Sequence, residues 1–326
     1  MAVSGKGRGS LVADKRYTPA RQAPARSSGA GKGGTGGGTP PRKPSRGSGR
    51  PPRKRGPIGT LFFGFFGLIW RILWGVGWRV GFVLGSVLAA AVLFFLAQLP
   101  PVEQLVDARS RGSVTFLDRE NKVYAWRGET FGGMITADTV SPFLHDAVVA
   151  TEDRRFYRHF GISPRGIASA VRINLAEGRG PLEGNGGSTI TQQVAKLLCL
   201  GVPYDQSQWD SEADYEADCR RGGIWRKIKE VPYAIAMEVK YSKEEILTIY
   251  FNRAYLGAGA RGFEAAAQRY FGKSANEVNP AEAAMLAGLL KAPSRFAPTN
   301  NMDRARARAN VIVGLMEEQG YLTAEQ

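Results

Sequence analysis

Hydrophobic patterning divides the chain into a spanning stretch, a short alternating stretch and a long helical one. From Val80 to Leu99 twenty residues run without a charge. At a rise of ~1.5 Å per residue they would form a helix about 30 Å long, the depth of a bilayer core, so residues 80–99 are predicted to be a transmembrane helix. The stretch Ile58–Trp78 ahead of it is also apolar, with Trp70, Trp74 and Trp78, but Arg71 interrupts it. Residues 58–79 therefore read either as an interfacial, juxtamembrane segment or as an extension of the span, with Trp and Arg at headgroup depth. Over 109–131 apolar positions alternate: Val114 and Phe116, then Val123, Tyr124 and Trp126, around Asp118-Arg-Glu-Asn121. That pattern predicts a β-hairpin, making 100–135 a linker and β-hairpin.

From residue 136 to 326 the period is helical. Ser141-Pro142 offers an N-cap with proline at the first helical position, and Leu144, Ala147, Val148 and Thr151 follow at core-facing spacing. Ser163-Pro164 opens a helix that stops at Gly178. A flexible loop, Gly178–Gly187, comes next. Thr189 and Gln192 form a capping box for a helix over Ile190–Leu200. Residues 201–223 are polar and acidic, with no element assigned. Helices follow over Ile224–Tyr241, kinked at Pro232, and over Ser242–Leu256, with Ser242/Glu245 as capping box. Two more run from Asn279-Pro280 to Leu290 and over Arg304–Gln319, the pattern continuing into Tyr321–Gln326. The predicted fold class is mainly α, with a short N-terminal β-hairpin.

Charge changes this picture only at the N-terminus. The 326 residues carry a formal charge of +15, but residues 1–57 hold 14 Lys/Arg against the single acid Asp14. The other 269 residues hold 30 basic and 28 acidic groups, which argues against a nucleic-acid-binding domain. The Gly-, Pro- and Ser-rich segment 1–57 has little to bury and is predicted to be a disordered basic tail. Its run Arg50-Pro-Pro-Arg-Lys-Arg55, set against an apolar segment, suits anionic lipid headgroups better than nucleic acid. The positive-inside rule puts the tail in the cytoplasm and everything after Pro100 outside, with a single pass. A cleaved signal peptide fits less well, because the apolar region and the basic leader are both long.

Cys199 and Cys219 bracket the acidic stretch. Outside the membrane a disulfide is allowed, and a loop of about 20 residues would stabilise the fold by on the order of 3 kcal/mol in the chain-entropy picture. The alternative is two unrelated thiols. Two cysteines and two distant histidines do not make a zinc site, so no dedicated metal site is expected.

The chemistry centres on Glu152 and Asp153, one step off the apolar face of their helix and followed by Phe156, Tyr157, His159 and Phe160. Alone, such a pair is as readily a solvated helix end. On a later helix Arg226, Lys229 and Glu230 share one face by i, i+3, i+4 spacing. Alone, Arg226 and Glu230 would be an ordinary surface pair worth ~0.3–0.5 kcal/mol. Ser188 and Thr189 at a helix start either bind anionic oxygen or only cap the helix.

Five motifs in order decide between these readings. Glu152-Asp-Arg-Arg-Phe156 with His159 and Gly161 resembles the first motif of the peptidoglycan glycosyltransferases. These occur alone or as the transglycosylase domain of bifunctional class A penicillin-binding proteins. Gly187-Ser-Thr-Ile-Thr-Gln-Gln193 with Lys196 resembles the second motif, and Arg226-Lys-Ile-Lys-Glu230 the third. Lys243-Glu-Glu-Ile-Leu-Thr-Ile-Tyr-Phe-Asn252 with Gly257 resembles the fourth, and Arg308-Ala-Asn-Val-Ile-Val-Gly-Leu-Met316 is similar to the fifth. The resemblance covers about 105–326. The sequence departs from it at Ala309 and Gly222, where arginine is usual, and at Leu197, where asparagine is usual.

This resemblance implies a lysozyme-like helical glycosyltransferase domain over 136–326. That domain would polymerise lipid-linked disaccharide into glycan strands outside the bacterial cytoplasmic membrane, with inversion at C1 of the donor. Glu152 and Glu230 are then the expected catalytic residues. Ser188, Thr189, Gln192, Gln193, Lys196, Arg226 and Lys229 are expected to bind substrate. Asp153, Phe156, His159, Gly161, Tyr250, Asn252 and Arg308 are expected to be structural. No cofactor is expected to be tightly bound, though a magnesium or manganese ion can accompany the pyrophosphate. The expected partners are lipid-linked disaccharide-peptide, the growing glycan strand, membrane lipids and other cell-wall synthesis proteins, with no nucleic acid. Two alternatives remain: a membrane-anchored lysozyme-like enzyme that cleaves glycan with two carboxylates, and an inactive cell-wall scaffold. No Ser-x-x-Lys nucleophile motif occurs in the chain.

Overall fold

Helix starts fall where the sequence sets a side-chain acceptor before an apolar stripe, because the first N–H groups of a helix need acceptors from outside it. The computed structural model describes residues 57–106, 114–120, 123–127, 130–131, 133–181, 183, 186–221 and 223–326. Residues 1–56 of the predicted tail, parts of the linker and of the Gly178–Gly187 loop, and Gly222 lie outside them. The chain divides into Met1–Phe63, of which only the opening of the first helix is described, and Gly64–Gln326.

Helix α1, Pro57–Gln98, is continuous, so no break separates the predicted 58–79 and 80–99 segments. Its stretch Trp70–Gln98 is long and apolar enough to cross a membrane. Trp70, Trp74, Phe82 and Leu84 project outward from it unburied. At its end Phe95 packs edge-on against Tyr233, centroids 5.2 Å apart. Lys240 and Tyr241 donate to the carbonyls of Leu99 and Pro100. Helix α2, Val102–Val106, follows.

The hairpin forms where the alternation predicts. Strands β1, Val114–Leu117, and β2, Val123–Arg127, pair antiparallel with a bulge between Phe116 and Leu117. In the turn, the Glu120 N–H donates to Asp118 Oδ1 at 3.0 Å. A pairing the sequence did not disclose joins β3, Thr130–Phe131, in parallel to β4, Ala260–Arg261.

The helical unit then builds up in order. Helix α3 is Pro142–Glu152. Ser141 sits at its N-cap, but the predicted cap does not form. Ser141 is buried and its hydroxyl donates to the Val278 carbonyl at 2.8 Å instead. Helix α4, Pro164–Ala176, is capped by Ser163, and α5, Ile190–Leu197, by the predicted Thr189/Gln192 box. α5 stops three residues before the predicted Leu200, because Cys199 and Leu200 take left-handed backbone at φ 51° and 56°. The acidic stretch holds an unpredicted helix, α6, Glu212–Arg220, whose cap is Ser211. Helix α7, Ile224–Lys240, runs through Pro232 without ending. Helix α8, Lys243–Arg253, carries the predicted Ser242/Glu245 box. Helices α9, Phe263–Phe271, and α10, Pro280–Leu289, follow, the latter with an Asn279/Glu282 box. After α11, Pro293–Phe296, comes α12, Met302–Glu318. It starts two residues earlier than predicted, at the Asn301 cap. It ends before Gly320, whose φ of 79° turns the chain out of the helix, so Tyr321–Gln326 does not continue it.

The observed fold is thus mainly α with an N-terminal hairpin. Helices α8 and α10 are buried on almost every side, which marks them as central. Leu144 and Val148 of α3, Leu286 of α10, and Ile312 and Met316 of α12 are fully buried in one core. At the crossing of α10 and α12 stands Gly288, where a Cβ would meet Arg308 Cγ at 3.0 Å. The missing side chain lets the Arg308 stem pass.

Candidate active site

Five helices bring the motif residues to one cleft of about 910 Å³. Glu152 is the last residue of α3, and Asp153 follows as its C-cap. One residue of offset sends the two carboxylates different ways. Asp153 Oδ2 accepts from the Ile190 N–H at the start of α5, 3.1 Å, and is 2.8 Å from His159 Nε2. It is spent on joining the first motif to the second. Phe156 is fully buried, with Lys243 Nζ 4.5 Å from its ring centroid. Gly161 has a φ of +74°, and a Cβ there would meet the Ala234 carbonyl at 3.0 Å. Its own carbonyl accepts from Thr189 Oγ1 at 2.6 Å.

Glu152 turns into the cleft. Its Oε2 accepts from Gln193 Nε2 at 2.8 Å, and Gln193 Oε1 accepts from the Tyr250 hydroxyl at 2.9 Å. The hydroxyl from α8 therefore fixes the amide, and the amide fixes the carboxylate. Burial pushes the Glu152 carboxyl above its ordinary value. The Gln193 bond and the charges of Arg308 and Lys291 pull it back part of the way, while Asp153 adds to the rise. Burial also raises the Tyr250 phenol well above its usual range, so it stays a neutral donor.

Glu230, on α7, is 1% exposed and faces two cations. Lys227 Nζ contacts its Oε2, and Arg226 Nη1 lies 3.5 Å from Oε1. Lys227 also donates to Ser188 Oγ at 2.8 Å, tying α7 to the residue before the α5 cap. Six basic side chains (Lys196, Arg226, Lys227, Arg261, Lys291, Arg308) and three acidic ones (Glu152, Glu216, Glu230) line the cleft. Arg226 Nε and Arg308 Nε are buried without a hydrogen-bond partner. Each such donor costs about 1–3 kcal/mol until an acceptor arrives.

The geometry separates the expected site residues. Lys229 is exposed and does not line the cleft; adjacent to Glu230, it projects about 100° away around the helix. Lys227, at i−3, contacts Glu230 and lines the cleft instead. Thr189 is buried, and its hydroxyl is used on the Gln192 N–H and the Gly161 carbonyl. Gln192 borders the cleft, but its Oε1 closes the capping box on the Thr189 N–H. Gln193 is committed to Glu152 and Tyr250. Arg308, expected to be structural, lines the cleft and acts on the Glu152 charge. Ser188, Lys196 and Arg226 lie in the cleft as expected. Asn252 binds the linker: its Oδ1 accepts from the Ile135 N–H at 3.2 Å, and its Nδ2 donates to the Ile135 carbonyl at 2.6 Å. Cys199 and Cys219 are disulfide-bonded. Of the departures from the motifs, Ala309 is buried and Leu197 lines the cleft.

Lys227 could have been found from its i, i+3 relation to Glu230. Lys291, Arg261 and Glu216 had no such local signal. Both Glu230 oxygens face cations, and no group of three or more His, Cys, Asp or Glu side chains gathers among the described residues.

Comparison with known proteins agrees with the motif order. Residues 120–317 match the family described as Transglycosylase. Penicillin-binding protein 1A of Escherichia coli (strain K12) is 39% identical over 229 residues, covering 70% of this chain and 24% of that protein. Penicillin-binding protein 1A of Aquifex aeolicus (strain VF5) is 40% identical over 213 residues, covering 63% and 26%. The crystal structure of penicillin-binding protein 1A from Haemophilus influenzae aligns over 66% of this chain and 19% of its own, with 23% identity and a TM-score of 0.35. The chain spans about a quarter of the length of the curated relatives it matches.

Proposed function

Since the chain belongs to the transglycosylase family, we propose that it is a peptidoglycan glycosyltransferase. It moves a glycan from a lipid-pyrophosphate carrier to the hydroxyl of a lipid-linked disaccharide. The acceptor oxygen attacks C1 of the donor from the face opposite the pyrophosphate. The C1–O bond to the pyrophosphate breaks and configuration inverts. Glu152 takes the hydroxyl proton, and the pyrophosphate leaves with the electron pair of the broken bond. A base contributes about 10²–10⁴-fold, and preorganised charge contributes more. Arg226, Lys227 and Lys196 supply that charge, and Glu230 orients the first two. A magnesium or manganese ion that comes with the pyrophosphate is part of the substrate. No step above depends on it.

One observation carries this reading: a buried carboxylate with a raised pKa shares a cleft with six cations. A glycan-cleaving enzyme needs no such charge, because no pyrophosphate leaves. A scaffold needs no buried carboxylate, which costs stability. Incubating the full chain with lipid-linked disaccharide-pentapeptide separates the three. Glycan polymer is expected. Shortening of added glycan strands, or no product, would sink the proposal.

The substrates' lipid tails stay in the membrane, so the site must lie beside it. Residues 1–57 are proposed as a cytoplasmic basic tail, α1 as the single-pass anchor in the bacterial cytoplasmic membrane, and 136–326 as the extracytoplasmic catalytic domain. The growing strand and other cell-wall synthesis proteins are its proposed partners. A reporter fused after Gln326 should be active only outside the cytoplasm, and cytoplasmic activity would refute this orientation.

A further inference from the structure

Helix α6 has no apolar face of its own. Glu212-Ala-Asp-Tyr-Glu-Ala-Asp-Cys-Arg220 offers one large anchor, Tyr215, which packs against Trp209 and Tyr204 with centroids 5.0 and 5.8 Å away. Hydrophobic burial alone gives such a helix no defined seat. Yet Glu216 and Cys219 form part of the cleft wall.

Three specific bonds seat it there, the first of them from the Tyr215 hydroxyl to the Val202 carbonyl. Cys219 is joined to Cys199, just past the end of α5, with Cα atoms 5.2 Å apart. Glu216 Oε2 accepts from Arg261 Nη2 at 2.7 Å, and the Arg261 side chain is only 6% exposed. A guanidinium buried this deeply requires countercharge, and Glu216 of α6 supplies it.

The seat has a consequence at Arg226. The last carbonyls of a helix lack intrahelical partners and carry the negative end of its dipole. One of them, Cys219 O, accepts from Arg226 Nη1 at 3.3 Å. The same nitrogen lies 3.5 Å from Glu230 Oε1. Arg226 is thus held between the end of α6 and Glu230.

We propose that the Cys199–Cys219 bridge and the Glu216–Arg261 pair are a positioning device for Arg226. They fix the Cys219 carbonyl that aims its guanidinium at the leaving pyrophosphate. This rests on the glycosyltransferase reading above. The four residues act through Arg226, and their effect belongs in turnover more than in substrate affinity.

A double-mutant cycle on the full chain tests it. Polymerisation of lipid-linked disaccharide-pentapeptide is measured for Cys199→Ser with Cys219→Ser, for Glu216→Gln, for Arg226→Ala, and for each of the first two combined with Arg226→Ala. Alone, each of the first two should lower kcat about tenfold, within the ~10²-fold that a misplaced group can cost, with KM little changed. In the Arg226→Ala background the same changes should cost less than about twofold, because residues acting through one group are not additive. Equal losses in both backgrounds would make α6 a plain structural element and overturn the proposal, as would an unchanged kcat in the first two variants. If the cysteine variant does not fold, Glu216→Gln, which keeps the bridge, decides the cycle alone. A wild-type chain that makes no polymer would overturn the underlying reading and this inference with it.

Discussion

Glu152→Gln should reduce glycan polymerisation by at least about 10²-fold, the lower end for loss of a base. The substitution keeps the side chain's size and an oxygen to accept from Gln193 Nε2, so the cleft should keep its form and still bind lipid-linked substrate. Two further readouts separate this from general damage. Burial holds the Glu152 carboxyl above the 4.5 of a free glutamate, so the acid limb of kcat/KM should fall at a pH above the usual carboxylate range. The residual activity of the variant should lack that limb. Stability should move the other way. A carboxyl whose pKa is raised by folding contributes stability that is complete below its unfolded pKa and is lost as pH rises through the folded one. At neutral pH the ionised Glu152 therefore burdens the fold, and Glu152→Gln should raise Tm. The gain should vanish below pH 4.5, where both states of the wild type are protonated. Near wild-type polymerisation by Glu152→Gln would remove Glu152 from the chemistry and the mechanism with it.

Lys227→Ala should cost turnover on the order of 10²-fold, the lower end for removing one preorganised donor from developing charge. Lys229→Ala should stay near wild type, as exposed surface changes usually do. The two lysines lie two residues apart, but only Lys227 contacts Glu230 and lines the cleft. Lys227→Ala should still fold, because Arg226 continues to face the buried Glu230 carboxylate. Thermal melting of both variants beside their initial rates provides the comparison. Equal rates for the two would leave Glu230 and its cations as an ion pair without a part in the reaction.

What the sequence determined by itself is local in range. The capping boxes at Thr189/Gln192 and Ser242/Glu245 join residues three positions apart, and both form. The apolar length of α1, the hairpin around Asp118–Asn121 and the helical period of the α3 core residues were legible for the same reason: each depends on neighbours a few positions away. Tertiary structure decided what lies at longer range. Ser141 looked like a cap, but the Val278 carbonyl, 137 positions away, takes its hydroxyl. Gln193 lies four residues past the α5 N-cap, but only the fold brings Glu152 and Tyr250, 41 and 57 positions away, to the two ends of its amide. The i, i+3 relation of Lys227 to Glu230 was legible in the sequence, but its bond to Ser188, ahead of α5, came only from the fold. The Arg261–Glu216 pair and the place of Lys291 in the cleft had no local trace. A buried or half-buried polar side chain takes whichever acceptor the packed helices bring to it, and that partner is set by how the whole domain closes, not by the residues beside it in the chain.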